Sequence, residues 1–414
     1  MLFFVLILAL ILGVVPQSTV SDICSSSNGE TAYEQTYENE TDTGNQTEDE
    51  FETYDEDYSG NKSGELFDEI EEYENGDSYS ELDNDQSQQN TEVTYEFSDP
   101  TGYAFGQNIV DGRYVFNTHV CSDRDAQMLG EDKREAFYNL CDALVNGNDT
   151  FRCDNKEAFI WATRPQFVDY FFPPASNCIK PLSYCDGVGR IEYLVPVDEF
   201  LDRVNAFEAE IEGVLNSTVS PEYSDFEKAL ILYDYMCQNY TYDYDILDKE
   251  RRGVVKPYRA FENKSGICLE LSGLYSYLLL QCGIQADFMR GGEGIIIDKD
   301  RNGHQWSFAR INGMDYHIDP TYGLSKPDKC NGYTRLGFFL MSDTARQKRG
   351  KFDPEYYNLN AIKGEMNDNS MYKATDERYA ELWRGYLVDL DTDNNIVYYC
   401  DVKTGEQKEF YYDY

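Results

Sequence analysis

Asn312-Gly313 stands between two runs, Gly303–Ile311 and Met314–Pro320, that are rich in aromatic and aliphatic residues. An Asn-Gly pair in that setting predicts a two-residue type I′ hairpin, because both central residues need positive φ. The turn fixes the register: Trp306 faces Asp319 and Phe308 faces His317. His304 then shares a face with Asp319 one diagonal step away, at a Cα separation of roughly 7–8 Å that an imidazole and a carboxylate can bridge. His317 lies on the same face one step nearer the turn and is held in reserve.

Upstream of the hairpin, Gly266-Ile267-Cys268 opens a segment in which Leu269, Leu271, Leu274, Leu278 and Leu279 recur at roughly helical spacing until Cys282-Gly283. That pattern predicts a buried helix beginning at Cys268 and stopped by glycine. At a helix N-terminus the unpaired N–H groups and the macrodipole favour an anion. They stabilise thiolate over thiol, bringing a cysteine pKa from about 8.5 into the region of about 3.5–7.5. The same N–H groups can hold an oxyanion.

A helix-start cysteine together with a histidine oriented by a carboxylate is the equipment of nucleophilic acyl chemistry. The expected catalytic residues are therefore Cys268, His304 and Asp319, and no step of that chemistry calls for a metal or other cofactor. Trp306 is a candidate to shield the His–Asp pair or touch substrate, with plain core packing as the alternative. Glu270, in the first turn of the helix, reads as an exposed charge favoured by the dipole. Cys237 and Cys282 fall in apolar helix phases and are expected in the core; His119 receives no role. His304, His317 and Asp319 as zinc ligands is the weaker reading, because no H-x-x-x-H or C-x-x-C spacing accompanies them.

The blocks Ser265-Gly-Ile-Cys268-Leu-Glu-Leu-Ser-Gly-Leu-Tyr275, His304-Gln-Trp306-Ser-Phe308 and Tyr316-His-Ile-Asp319-Pro-Thr-Tyr322 resemble the transglutaminase-like superfamily of papain-type thiol enzymes. The order Cys, His, Asp and the Asp-Pro-Thr-aromatic ending carry the resemblance, which implies that Cys268, His304 and Asp319 act as the triad. It also implies an α+β fold: a nucleophile helix packed on an antiparallel β-sheet, preceded by an N-terminal accessory region. The run Tyr233…Tyr240-Thr-Tyr242-Asp243 looks like the family's helix and Tyr-Asp element, which makes Tyr242 a candidate oxyanion or substrate contact. The chain departs from the family pattern at Leu269-Glu270-Leu271, where a small residue is usual, and at Gln305, where alanine is common.

Composition bounds the rest. The chain has 414 residues, room for about two domains besides its ends. Met1–Val15 is nearly all apolar and precedes Pro16–Ser21, which suits a signal peptide over residues 1–21 better than a span needing about 20 apolar residues. An uncleaved N-terminal anchor is the alternative, and the expected location is secreted or cell-surface. From Asn28 to Asp99 there are 25 acidic residues and one basic residue, Lys62. The stretch 22–99 therefore reads as an acidic, disordered linker in which a Tyr-acid pair recurs, as at Tyr33-Glu34 and Tyr54-Asp55. The net charge of −42 excludes ordinary binding to a phosphate backbone, so nucleic acid is not an expected partner.

Residues 100–220 read as an accessory domain of helices and short strands, including a helix over Glu131–Val145. Its Cys121, Cys141, Cys153, Cys178 and Cys185 are the disulfide candidates expected of an exported chain with eleven cysteines. Residues 221–345 read as the catalytic core, opened by a helix with the capping box Ser224-Asp-Phe-Glu227. Gly337–Asp343 reads as its closing strand. Residues 346–414 form an extension ending in a three-stranded meander. The expected function is an exported cysteine enzyme acting on amide bonds of a protein or peptide substrate, with hydrolysis favoured slightly over cross-linking. A non-catalytic interaction module that keeps the fold is the alternative, and the oligomeric state is left open.

Overall fold

The computed structural model describes residues 97–247, 256–292, 303–324, 332–348, 357–359 and 371–413. The apolar leader, almost all of the acidic stretch with its Tyr-acid pairs, and Cys24 and Cys330 lie outside the described residues. A short pair, β1 (Ile109–Val110) and β2 (Arg113–Tyr114), precedes helices α1 (Asp123–Leu129) and α2 (Glu131–Val145). Then come β3 (Thr150–Arg152), α3 (Lys156–Ala162), α4 (Pro165–Phe171), β4 (Ile179–Cys185) and β5 (Val188–Tyr193). The three strands form an antiparallel sheet in the order β3-β5-β4.

Two helices, α5 (Val197–Thr218) and α6 (Asp225–Asn239), lead into the centre of the molecule. The capping box read in the sequence opens α6: Ser224 Oγ accepts from the Glu227 N–H at 3.3 Å, and Glu227 Oε2 accepts from the Ser224 N–H at 2.7 Å. Next follow β6 (Thr241–Tyr242), α7 (Pro257–Asn263), β7 (Ser265–Gly266) and α8 (Cys268–Gln281). The principal sheet takes β8 (Ala286–Gly292), β9 (Gly303–Ile311), β10 (Met314–Ile318) and, beyond α9 (Pro320–Gly323) and α10 (Asp343–Lys348), β11 (Tyr357–Leu359). Its order is β10-β9-β8-β11, antiparallel throughout, and α8 packs on β9 and β8. The meander β12 (Gly385–Asp391), β13 (Ile396–Asp401) and β14 (Gln407–Tyr411) closes the chain. The fold is α+β, with a helix packed on an antiparallel sheet.

Every side chain of α8 is buried, as expected of a helix that is apolar nearly all round. Leu271, Leu274, Leu278, Leu279 and Leu280 are each at most 1% exposed, worth about 1.5–3 kcal/mol apiece in transfer from water. Its polar side chains are satisfied internally: Ser276 Oγ donates to the Asp287 carbonyl at 3.1 Å, and Gln281 exchanges bonds of 2.8 and 2.9 Å with the Asn117 backbone. Gly283 ends the helix at φ +78°, where a Cβ would lie 2.8 Å from Gly106 Cα, so both the turn and the close approach require glycine. The apolar core runs without interruption from Tyr114 to Tyr412 and takes in α2, α5, α6, α8 and the meander.

The hairpin has the predicted register. Asn312 and Gly313 take φ of 49° and 78°, and His317 pairs with Phe308 and Ile318 with Ser307. Two expectations are corrected. Gly337–Asp343 is not a strand: Leu336–Phe338 is a 3₁₀ turn, Leu340 has φ 52°, and only Met341 bridges to His317. The left-handed residue breaks the extended path that the apolar run suggested. Cys121, Cys141, Cys153, Cys178 and Cys185 are all free, and all but Cys185 are buried, serving as small apolar core residues rather than cross-links.

Candidate active site

Cys268 is the first residue of α8, and the backbone leading to it is pinned from two sides. The parallel pair of β6 and β7 holds it through Thr241 N–H to the Lys264 carbonyl and Asp243 N–H to the Gly266 carbonyl, both at 3.0 Å. From inside, Glu270 Oε2 accepts from the Ile267 N–H at 3.0 Å and Oε1 from the Lys256 N–H at 3.1 Å. Glu270 is not the exposed charge expected from its place in the first turn. It is fully buried and gripped by Arg259, whose Nε donates to Oε1 at 2.7 Å and whose Nη2 donates to Oε2. Burial pushes the Glu270 carboxyl up, while Arg259 and the two N–H groups pull it back. Arg259 also reaches Asp243 Oδ2 at 2.7 Å, tying β6 and α7 to the start of α8.

The hairpin supplies the other side. His304 Nε2 meets Asp319 Oδ2 at 2.7 Å, and the ring is also hydrogen-bonded to Cys268. Cys268 and Asp319 expose no surface and His304 only 3%. Burial alone would lower the His304 pKa, but the Asp319 charge, the Cys268 charge and both hydrogen bonds outweigh it and raise the value to about 9. Burial likewise opposes ionisation of Asp319. His304, Arg346 and the Thr321 N–H, which bonds Oδ1 at 3.2 Å, overcome it and hold the carboxyl below its ordinary range. The structure thus brings together the three residues nominated by spacing and register.

The secondary candidates fall around this chain. Tyr242 packs against a small apolar cluster of Ile246, Ile267, Cys268 and Leu269, its ring 4.8 Å from that of the exposed Tyr244. Trp306 is fully buried and lies stacked beside His304, with centroids 5.9 Å apart and planes at 22°. Its indole N–H is directed to His317 Nδ1 at 2.9 Å. His317 therefore sits behind Trp306, away from Cys268, and its Nε2 faces Asp343 Oδ1 at 2.8 Å. Cys237 and Cys282 are buried core thiols.

Two residues were not read as parts of the site. Gln305 is buried between the helix and the accessory segment: it accepts from Tyr170 Oη at 3.0 Å and donates to the Leu269 carbonyl and Ser272 Oγ, both at 3.3 Å, bracing the first turn of α8. Arg346, fully buried on α10, donates from Nη2 to Asp319 Oδ2 at 2.8 Å. Nothing local distinguishes it from a surface arginine beside Lys348–Lys351; only the low tolerance of cores for unpaired cations would have asked for its partner.

Residues 212–319 match the model of the transglutaminase-like superfamily. Among solved structures, a candidate protease from Parabacteroides distasonis is 14% identical with a TM-score of 0.23, over 34% of this chain and 35% of the other. A candidate cysteine protease from Cytophaga hutchinsonii is 16% identical with a TM-score of 0.21, over 38% of this chain and 64% of the other. A structure named as a TGase is 14% identical with a TM-score of 0.22, over 35% and 45%. The chain thus spans between about a third and two thirds of the length of these proteins. No curated protein matches the sequence.

Proposed function

We propose that this chain, which carries a transglutaminase-like core, is a cysteine enzyme that cleaves amide bonds of a protein or peptide substrate through Cys268, His304 and Asp319. The observation that carries the reading is the unbroken line from Cys268 at a helix N-terminus, through His304, to Asp319. In the proposed reaction the Cys268 thiolate attacks the amide carbonyl, and the oxyanion is held by N–H groups at the start of α8. His304 gives its proton to the departing amine, leaving a thioester on Cys268. Asp319 keeps the imidazole oriented and balances its charge.

A nucleophile then resolves the thioester. Water gives a protease or amidase; a primary amine gives a cross-linker. Hydrolysis is the outcome proposed here, because water needs no second binding site. Cys268 is fully covered, with Tyr242 and Ile246 packed against it, so residues 242–247 have to move for a substrate carbonyl to arrive. Secretion or display at the cell surface belongs to the same proposal and is supported by the apolar segment Met1–Val15 and the acidic stretch over 22–99.

The test is incubation with a library of glutamine-containing and other peptides, with and without a primary amine, read by mass spectrometry. Mass gains of water at a cleaved amide support hydrolysis, and amine adducts support transfer. Either product in undiminished yield from Cys268→Ala would remove Cys268 from the chemistry.

A further inference from the structure

Resting on the triad reading above, we propose that Arg346 is a positioning residue of this site, the fourth charge of a buried and electrically neutral cluster that allows Cys268 to exist as a thiolate beside a protonated His304. The geometry is specific. Asp319 Oδ2 is shared: it meets His304 Nε2 at 2.7 Å and receives Arg346 Nη2 at 2.8 Å. The guanidinium carbon lies 4.6 Å above the Trp306 ring, and that ring stacks beside His304, so arginine, indole and imidazole form a layered wall around one carboxylate. Phe338 and Tyr322 close the far side, at 5.6 and 6.0 Å from the guanidinium carbon.

Arg346 is held there at a cost. It exposes no surface, and its Nε and Nη1 are buried with no hydrogen-bond partner. A buried cation with two unsatisfied donors destabilises a core unless its charge is matched. The match is Asp319. With Cys268 ionised, His304 protonated and Asp319 ionised, the three residues sum to one negative charge, and Arg346 brings the sum to zero. Moving the proton from His304 to Cys268 leaves that sum unchanged, so without Arg346 a buried site reaches neutrality only by taking an extra proton. The group that takes it is the Cys268 thiolate, and the nucleophile is lost.

The other charged groups packed around the cluster do not supply this balance. The His317–Asp343 pair stands behind Trp306 on β10 and α10, and the Arg259–Glu270–Asp243 set at the foot of α8 is spent on itself. From α6, Tyr233 Oη lies 3.4 Å from the Asp319 carbonyl and brings no cation to the carboxylate. The Tyr322 ring meets that of His304 at a tilt of 55°, with centroids 5.1 Å apart, and brings no charge.

The experiment is the pH profile of Cys268 alkylation by iodoacetamide, read by peptide mass spectrometry, in the wild type and in Arg346→Met, Arg346→Gln and Arg346→Lys, with folding checked by circular dichroism. Met replaces the cation with apolar bulk; Gln keeps a donor for Asp319 and guards against failure of the Met variant to fold. Loss of a nearby positive charge moves the acid limb of labelling to higher pH by about one unit, so the rate on that limb falls about tenfold. Lys restores the limb to within a few tenths of a unit. A folded Met or Gln variant whose rate drops without displacement of the limb, or a Lys variant displaced as far as Met, overturns the role of Arg346. A wild type with an ordinary thiol profile overturns the triad reading itself and Arg346 with it, whereas an activated wild type with undisplaced neutral variants removes Arg346 alone.

Discussion

Trp306 gives its indole N–H to Nδ1 of His317 at 2.9 Å. An indole nitrogen only donates, so Nδ1 carries no proton, and the remaining ring proton on Nε2 goes to Asp343 at 2.8 Å. His317 is held neutral in a single tautomer. Burial, its strongest influence, lowers its pKa against the pull of Asp343. The two histidines of one hairpin are thereby driven apart: His304 is raised to about 9 and His317 is lowered. Separation of this kind is how acid–base roles are assigned within one fold.

This separation predicts a two-sided stability profile. The contribution of His304, whose pKa is raised, is complete below the ordinary histidine value of about 6.5 and is lost as pH rises through about 9. It amounts to on the order of 3 kcal/mol. The contribution of His317, whose pKa is lowered, is complete above about 6.5 and is lost as pH falls below it. Urea unfolding followed across pH is expected to show a maximum near about pH 6.5–7. His304→Ala should flatten the alkaline side, and His317→Gln, which keeps an acceptor for Trp306, the acid side. A profile that keeps both slopes in both variants would contradict the assignment.

Asp319→Asn removes the charge that does most to raise His304 while leaving the side-chain shape. The expected result is a loss of about 10³-fold or more in kcat, with the alkaline limb of kcat/KM moved below about pH 9. An unmoved limb would show that Asp319 does not act on His304 through charge.

Arg259 and Glu270 form a grip behind the nucleophile rather than part of the chemistry. Arg259→Met leaves a fully buried carboxylate held only by backbone N–H groups and is expected to cost about 3 kcal/mol in unfolding free energy. Adding Glu270→Gln should return part of that loss, because the uncompensated charge is gone. A double variant no more stable than Arg259→Met would mean that the two side chains are not energetically coupled.

Much of this site was legible because its geometry is local. Cys268 opens a helix because Gly266 and the leucine phase say so, and the Asn312-Gly313 turn leaves one register, in which His304 meets Asp319. The capping box at Ser224 is equally a short-range rule. What the sequence hid depends on distance. Glu270 occupies the helix position where exposed acids are common, and only the folding back of Arg259 from α7 makes it a buried anchor. Arg346 lies 27 residues beyond Asp319, with no local pattern that ties it to the hairpin. The Gly337–Asp343 run has the composition of a strand, yet the left-handed backbone at Leu340 belongs to no composition rule. The five clustered cysteines looked like a framework because sequence proximity was taken for spatial pairing.

The most direct test of the central claim is the rate of Cys268 alkylation against pH in the wild type and in His304→Ala, read by peptide mass spectrometry. An imidazolium-paired thiolate predicts fast labelling that persists well below about pH 8, where an ordinary thiol titrates, and that collapses in His304→Ala. Slow labelling that rises only near about pH 8.5 and is the same in both proteins would show that Cys268 is an inert core thiol, and the reading of this chain as a cysteine enzyme would fail.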